Sequence, residues 1–287
     1  MNRPAIEVEG ISYAYGDLLA VDRIDFAVAP GEILGFLGPN GAGKSTTIKM
    51  LTGQLKPDAG RIGILGMDVT RERSRVQARI GVSFEEKNMY DGMSGKENLD
   101  FFARLYGVDG FDAEVLLQKV GLGGRGEDRV KGYSKGMRQR LMVARSLVNS
   151  PDVLFLDEPT DGLDPVSSQA IRQIIREEAD RGVAVLLTTH DMDEADKLAD
   201  RVAFLNEGRI AALDTPEKLK LAHGDRSVRV RFRDGDGVEE RVVALDGPDA
   251  GDELKEAVGA EELMTIHTEE ATLEAIFIKV TGRGLMT

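Results

Sequence analysis

The run Gly38-Pro39-Asn40-Gly41-Ala42-Gly43-Lys44-Ser45-Thr46 joins three glycines to a lysine and two hydroxyls. Its spacing is G-x-x-x-x-G-K-[ST]. Glycines let the backbone N–H groups turn inward around a phosphate, the following helix start adds partial positive charge, Lys44 can reach β/γ oxygens, and the Ser45 hydroxyl can ligate Mg²⁺. A second element of the same chemistry is Asp157-Glu158, which ends the apolar run Val153-Leu154-Phe155-Leu156. Asp157 at the strand tip can hold the metal through water, and Glu158 stands where a base could orient an attacking water. The phosphate loop alone is compatible with kinases, GTPases and many ATPases.

These groups need a rigid frame. Ile33-Leu34-Gly35-Phe36-Leu37 is apolar throughout, as a strand covered on both faces should be. A helix from about Lys44 to Leu51 follows the loop, with Gly53 and Pro57 as stop signals. Ile6 to Leu34 reads as short strands and turns, and Ile62, Ile64 and Ile80–Phe84 as further strands. From Ser94 the period becomes helical: Ser94-Gly95-Lys96-Glu97 is a capping box, and Leu99, Phe102, Leu105 and Tyr106 share a face. Helices near Asp112–Val120 and from Ser134 onward complete a helical insertion. Then come the strand Val153–Leu156, a helix opened by Asp164-Pro165, the strand Val183–Thr188 and a hairpin at Asn206-Glu207-Gly208. Strands alternating with helices predict an α/β fold with a mostly parallel sheet.

Beyond about residue 214 the pattern changes. Val228, Val230 and Phe232 alternate with Arg229, Arg231 and Arg233, a turn spans Asp234–Gly237, and a second strand lies near Val242–Leu245. Helices are expected at Asp252–Val258 and Glu269–Val280. The chain therefore divides into a main domain, 1–214, and a small α+β domain, 215–287.

Composition narrows the function classes. The 287 residues carry 37 basic and 50 acidic side chains, a formal charge of −13, which argues against nucleic acid as a partner. With no cysteine, disulfides, thiolate metal sites and a cysteine nucleophile are excluded. No stretch approaches the ~18 apolar residues that span a bilayer, so any membrane crossing is expected of another chain.

With these residues in place, the chain resembles the nucleotide-binding subunits of ABC transporters over about residues 5 to 213. Tyr15-Gly16 matches the aromatic that stacks on adenine. Tyr133-Ser134-Lys135-Gly136-Met137 stands at the signature motif, Gly162-Leu163-Asp164 at the dimer-interface loop, and Thr189-His190-Asp191 at the switch histidine. The signature separates this family from kinases and GTPases. The resemblance implies a P-loop NTPase fold with a RecA-like parallel sheet, an antiparallel β-subdomain and a helical subdomain at about 88–150. It also implies a composite site in which ATP on one subunit meets Ser134, Lys135 and Gly136 of another. ATP and Mg²⁺ would be its ligands, Ser45, Asp157 and Glu85 its metal-side residues, Glu158 its base, and His190 the γ-phosphate contact. The implied partners are membrane-spanning permease subunits and a second ATPase subunit, identical or not, at the cytoplasmic face of the membrane.

Two motifs depart from the family pattern: the glutamine loop at Glu85, and the signature at Lys135 and at Met137, which stands for its glutamine. Glu85 replaces the glutamine of the glutamine loop, so it can accept from a metal-bound water but cannot donate an amide hydrogen. Lys135 replaces the first signature glycine; it either adds a cation facing phosphate or snorkels to water. The tail looks like the extension on a branch associated with export of drugs, antibiotics or sodium. A rival is an ABC-type ATPase outside transport, in cofactor assembly, translation or DNA repair. The repair members need a long heptad insertion or zinc cysteines, which this sequence lacks, and the translation factors carry two cassettes.

Overall fold

In the computed structural model, residues 3–84, 89–224, 227–234, 237–245, 247, 249–259, 263–269 and 271–282 are described. The expectation for Glu85 lies outside them. Contacts divide the chain into two compact units, one closing at Leu213 and one opening at Asp214.

The first unit begins with β1 (Ile6–Tyr15), β2 (Leu18–Val28), β3 (Ile33–Leu37), α1 (Lys44–Leu51), β4 (Ala59–Ile64), β5 (Met67–Asp68), α2 (Arg73–Gln77) and β6 (Ile80–Ser83). Three helices follow: α3 (Gly95–Tyr106), α4 (Ala113–Lys119) and α5 (Lys135–Ser146). It ends with β7 (Val153–Asp157), α6 (Pro165–Asp180), β8 (Ala184–Thr189), α7 (Met192–Leu198), β9 (Arg201–Asn206) and β10 (Arg209–Asp214).

Six strands form one sheet in the order β10-β9-β3-β8-β7-β6, with parallel pairing from β9 through to β6. Every residue of β3, β7 and β8 is buried, which is why these runs are apolar without alternation. Adjacent parallel strands bring their C-terminal ends together: Leu37 pairs with Thr189, and Asp157 with Thr188. In open α/β sheets the crevice beyond those ends is where ligands bind.

A second sheet, β2-β1-β4-β5, is antiparallel. Its first hairpin turns at Gly16, whose φ of +59° suits a residue without Cβ, and sets Tyr15 opposite Leu18. Both sheets and α1 share one core cluster, in which Phe26 meets Phe36 edge-on at 4.8 Å.

The capping box at α3 forms as its sequence dictates. The Glu97 N–H donates to Ser94 Oγ at 3.1 Å, and the Ser94 N–H to Glu97 Oε2 at 2.7 Å. The apolar face expected of this helix is only partly covered. Leu99 is fully buried, but Leu105 and Tyr106 are exposed beside a groove of about 510 Å³ that Val82, Phe84, Tyr90 and Phe102 also line.

Where α5 crosses β6, the approach leaves no space for a side chain: a Cβ on Gly81 would lie 1.9 Å from the Ser146 carbonyl oxygen. Gly81→Ala is therefore expected to destabilise the first unit by about 1–3 kcal/mol, as overpacking against an immovable backbone does. A denaturation midpoint equal to the parental one would contradict that.

The second unit comprises α8 (Pro216–His223), β11 (Ser227–Asp234), β12 (Gly237–Ala244), α9 (Ala250–Val258), β13 (Leu263–Glu269) and α10 (Leu273–Thr281). The strands make an antiparallel sheet, β12-β11-β13, and α9 covers Val228, Val230 and Val243. Two sequence expectations need correction. Residues Leu263–Glu269 are a strand, with Ile266 opposite Val230, so the last helix starts at Leu273, capped by Thr272, rather than at Glu269. The helix α8, capped by Thr215 with Pro216 in its first turn, was not expected at all.

Candidate functional site

The phosphate loop leaves β3 and enters α1 through Gly43, whose φ is +104° and whose added Cβ would lie 2.6 Å from the Ala20 carbonyl oxygen. Gly38 is equally constrained, since a Cβ there would sit 2.3 Å from the Leu205 carbonyl oxygen. Both glycines are thus required by close backbone approach, and Gly41 by its φ of +83°. Because Gly43 caps α1 with no side-chain acceptor, the first N–H groups of that helix keep no side-chain cap and can face an anion.

Lys44 is 6% exposed and folds back on its own loop. Its Nζ donates to the Gly38 carbonyl oxygen at 2.6 Å and lies 3.6 Å from Glu158 Oε1. The cation is therefore already paired with the candidate base. Asp157, buried at the end of β7, accepts from Ser45 Oγ at 3.4 Å and from the Thr188 hydroxyl. A cavity of about 110 Å³ is lined by Asn40, Gly43, Lys44 and Ser45 from the loop, together with Asp157 and Glu158. Among the described residues, Tyr15, Ser134, Lys135, Gly136, Asp164 and His190 do not line it.

Glu158 adopts φ +48°, a left-handed conformation that costs a non-glycine residue about 1–3 kcal/mol. The following Pro159 disfavours the right-handed helical alternative. Its N–H is held by the Thr188 carbonyl oxygen at 3.1 Å and by Thr188 Oγ1 at 3.2 Å. Its carboxylate spans two groups, with Oε1 toward Lys44 and Oε2 at 3.0 Å from His190 Nδ1. Strand order explains the meeting: Glu158 follows β7 and His190 follows β8, its direct neighbour.

Mg²⁺ fits the donor set. It favours one or two protein oxygens and completes its shell with water and substrate phosphates. Ser45 and Asp157 supply such oxygens at the cavity wall. Among the described residues no three His, Asp or Glu side chains cluster to hold a metal by themselves.

The signature residues are organised separately. Ser134 caps α5, its Oγ accepting from the Met137 N–H at 3.2 Å, and Arg138 fixes the approach by donating to the Lys131 carbonyl oxygen at 2.9 Å. Lys135 neither points to empty solvent nor lies at the loop cavity: its Nζ pairs with Asp161 Oδ2 at 3.1 Å, over Gly162. Asp164 caps α6 through the Val166 and Ser167 N–H groups, and hydrogen bonds from Ser167 hold its carboxyl below the usual carboxylate range. Tyr15 is half exposed and packs edge-on against Tyr13.

Three residues of this region escaped the sequence reading. Thr188 braces both Asp157 and Glu158. Thr160 donates to the buried Glu194, a carboxyl that burial pushes above its usual range. None belongs to a spacing that carries chemistry by itself.

Comparison with known proteins gives consistent findings. A family model described as ABC transporter matches residues 21–161. The chain is 46% identical, over 98% of its length and 94% of the relative's, to a fluoroquinolones export ATP-binding protein of Mycobacterium tuberculosis. It is 45% identical, over 80% of its length and 71% of the relative's, to a daunorubicin/doxorubicin resistance ATP-binding protein of Streptomyces peucetius. A solved structure of an ATP-binding subunit of an ABC transporter superposes with a TM-score of 0.70 at 30% identity, covering 76% of this chain and 92% of that one.

Proposed function

The chain belongs to the ABC transporter family as an ATP-binding, ATP-hydrolysing subunit, and from that premise we propose that it drives export through separate membrane-spanning subunits by ATP-dependent closure of a subunit pair. The observation that carries the reading is the convergence, at the ends of three adjacent strands, of the phosphate loop and the Asp157-Glu158 pair on one cavity, with His190 joined to it through Glu158. Export is supported by the relatives, which are named for export of, or resistance to, antibiotics.

In the proposed cycle, Tyr15 stacks on adenine while residues Gly38 to Thr46, with Pro39, Asn40 and Ala42 shaping the turn, enclose the phosphates. An arriving phosphate draws Lys44 away from the Gly38 carbonyl oxygen and from Glu158. Glu158, released from its counter-cation, orients and deprotonates the attacking water, and His190 steers its second oxygen and meets the γ-phosphate. Mg²⁺ held by Ser45 and Asp157 would neutralise charge on the phosphates; Glu85 is assigned to the same ion from its sequence position. Ser134, Lys135 and Gly136 present the start of α5 to ATP on the opposite subunit, with Asp164 beside the interface. Residues 1–214 form the ATPase domain in this reading, and 215–287 an accessory domain.

A partner must cross the membrane, because among the described residues no helix is long and apolar enough to do so. We assign its contact to the groove beside α3, where Leu105, Tyr106 and Tyr90 expose apolar surface. In this reading the subunit works at the cytoplasmic face of the membrane. Leu105→Glu is expected to abolish co-purification with the membrane subunit yet keep the basal ATPase within about twofold, since Leu105 is exposed and does not line the loop cavity. Co-purification unchanged by that variant would remove the groove from the interface. The function as a whole is tested by pull-down under ATP-trapping conditions. Capture of ribosomes or DNA instead of a polytopic membrane protein would overturn it.

A further inference from the structure

Resting on that ATPase reading, we propose that Glu194 is a positioning residue, which through Thr160 holds the turn of Glu158 in its left-handed conformation. The turn needs such a tether. Upstream, Thr188 fixes the Glu158 N–H from two oxygens. Downstream, these backbone bonds close the turn only on itself: the Asp161 N–H reaches the Glu158 carbonyl oxygen at 3.3 Å, and the Leu163 N–H reaches that of Thr160 at 3.2 Å. Thr160, two residues past the strained position, is 8% exposed and donates its hydroxyl to Glu194 Oε2.

The local explanation for Glu194 fails. Asp191-Met192-Asp193-Glu194 has the spacing of a capping box, in which the third helical residue would reach back to the cap N–H. Here Asp191 Oδ1 does accept from the Glu194 N–H at 3.0 Å, but the Asp191 N–H goes to Thr189 Oγ1 instead. The Glu194 carboxylate is turned inward, 5% exposed, toward Thr160. Its Oε1 accepts no hydrogen bond among the described residues and lies 3.8 Å from Arg172 of α6. A buried carboxylate left half satisfied is expensive, and an apolar side chain would pack there at less cost. What the carboxylate adds is a junction. Glu194 touches the base-bearing turn, α6 and its own helix, whose cap Asp191 directly follows His190. The pair Glu158–His190 and the pair Thr160–Glu194 thus tie the same two segments at two successive points.

The experiment uses the full chain with Thr160→Val, Glu194→Ala, Glu194→Gln and the Thr160→Val/Glu194→Ala double variant. Steady-state ATPase gives kcat and KM, and amide hydrogen exchange follows residues 158–164. Thr160→Val and Glu194→Ala are each expected to lower kcat by at least about tenfold with KM within about twofold, and the double variant to be no slower than the slower single. Glu194→Gln, whose amide oxygen still accepts from Thr160, should keep at least about a third of the parental kcat. The Asp161 and Leu163 amides should exchange faster in Thr160→Val while those of β7 and β8 do not. The proposal is overturned by a Thr160→Val protein with parental kcat and exchange, by additive losses, or by Glu194→Gln failing as badly as Glu194→Ala. A parental protein without ATPase activity would sink the ATPase reading alone, because exchange at the turn decides the tether without turnover.

Discussion

Glu158→Gln is expected to lower ATP turnover by about 10²–10⁴-fold, the usual contribution of a general base, and to leave ATP binding intact. The geometry sets the sign of each effect. The amide keeps the shape of the side chain and can still meet His190, so the turn should survive. It cannot take a proton from water. Removing the carboxylate also removes the charge 3.6 Å from Lys44 Nζ, so the lysine is freer for phosphate and ATP affinity should hold or rise. Under the proposed cycle, ATP that binds and is not cleaved keeps the subunit pair closed, so the variant should elute as an ATP-dependent dimer. Turnover near the parental rate would show that Glu158 is not the base. Loss of nucleotide binding with loss of turnover would instead mean that Glu158 shapes the loop.

Much of this site was legible because its residues are adjacent in sequence. The phosphate loop, Asp157-Glu158 after an apolar strand, and Ser134 before a helix are local patterns, and local backbone chemistry dictates them. What the sequence could not show is contact between distant residues. Lys135 reads as a cation beside a helix start; that its partner is Asp161 depends on how the turn after β7 meets α5. Thr160 and Glu194 lie on separate segments that only the neighbouring of β7 and β8 brings together. In the second unit, Leu263–Glu269 was missed because it is an edge strand exposed along most of its length, so alternation of burial leaves little imprint on residue choice. The helix α8 buries only Leu219 and so has no apolar period to read, despite its Thr215-Pro216 start. On α3 the period is present, but Leu105 and Tyr106 face a groove rather than the core. An apolar period identifies a face and not what covers it.

Lys44→Ala is expected to do what Glu158→Gln does not: weaken ATP binding by about 10- to 100-fold, in line with the ~1.5–3 kcal/mol of hydrogen bonds to charged groups, and take turnover with it. A second consequence follows from the position of the amine without nucleotide. Lys44 Nζ satisfies the Gly38 carbonyl oxygen at 2.6 Å and neutralises Glu158, which is itself only 10% exposed. Truncation leaves an acceptor unpaired and a carboxylate without its cation, so the nucleotide-free protein should lose about 1–3 kcal/mol of stability. The carboxylate's share of that loss should return in the Lys44→Ala/Glu158→Gln double variant, which no longer holds an uncompensated charge, although ATP binding stays weak. Denaturant midpoints of the parental, single and double variants measure the coupling directly. If the double variant is as destabilised as the two single losses added together, the lysine and the glutamate are not paired before nucleotide arrives, and the release of Glu158 by incoming phosphate is not part of the cycle.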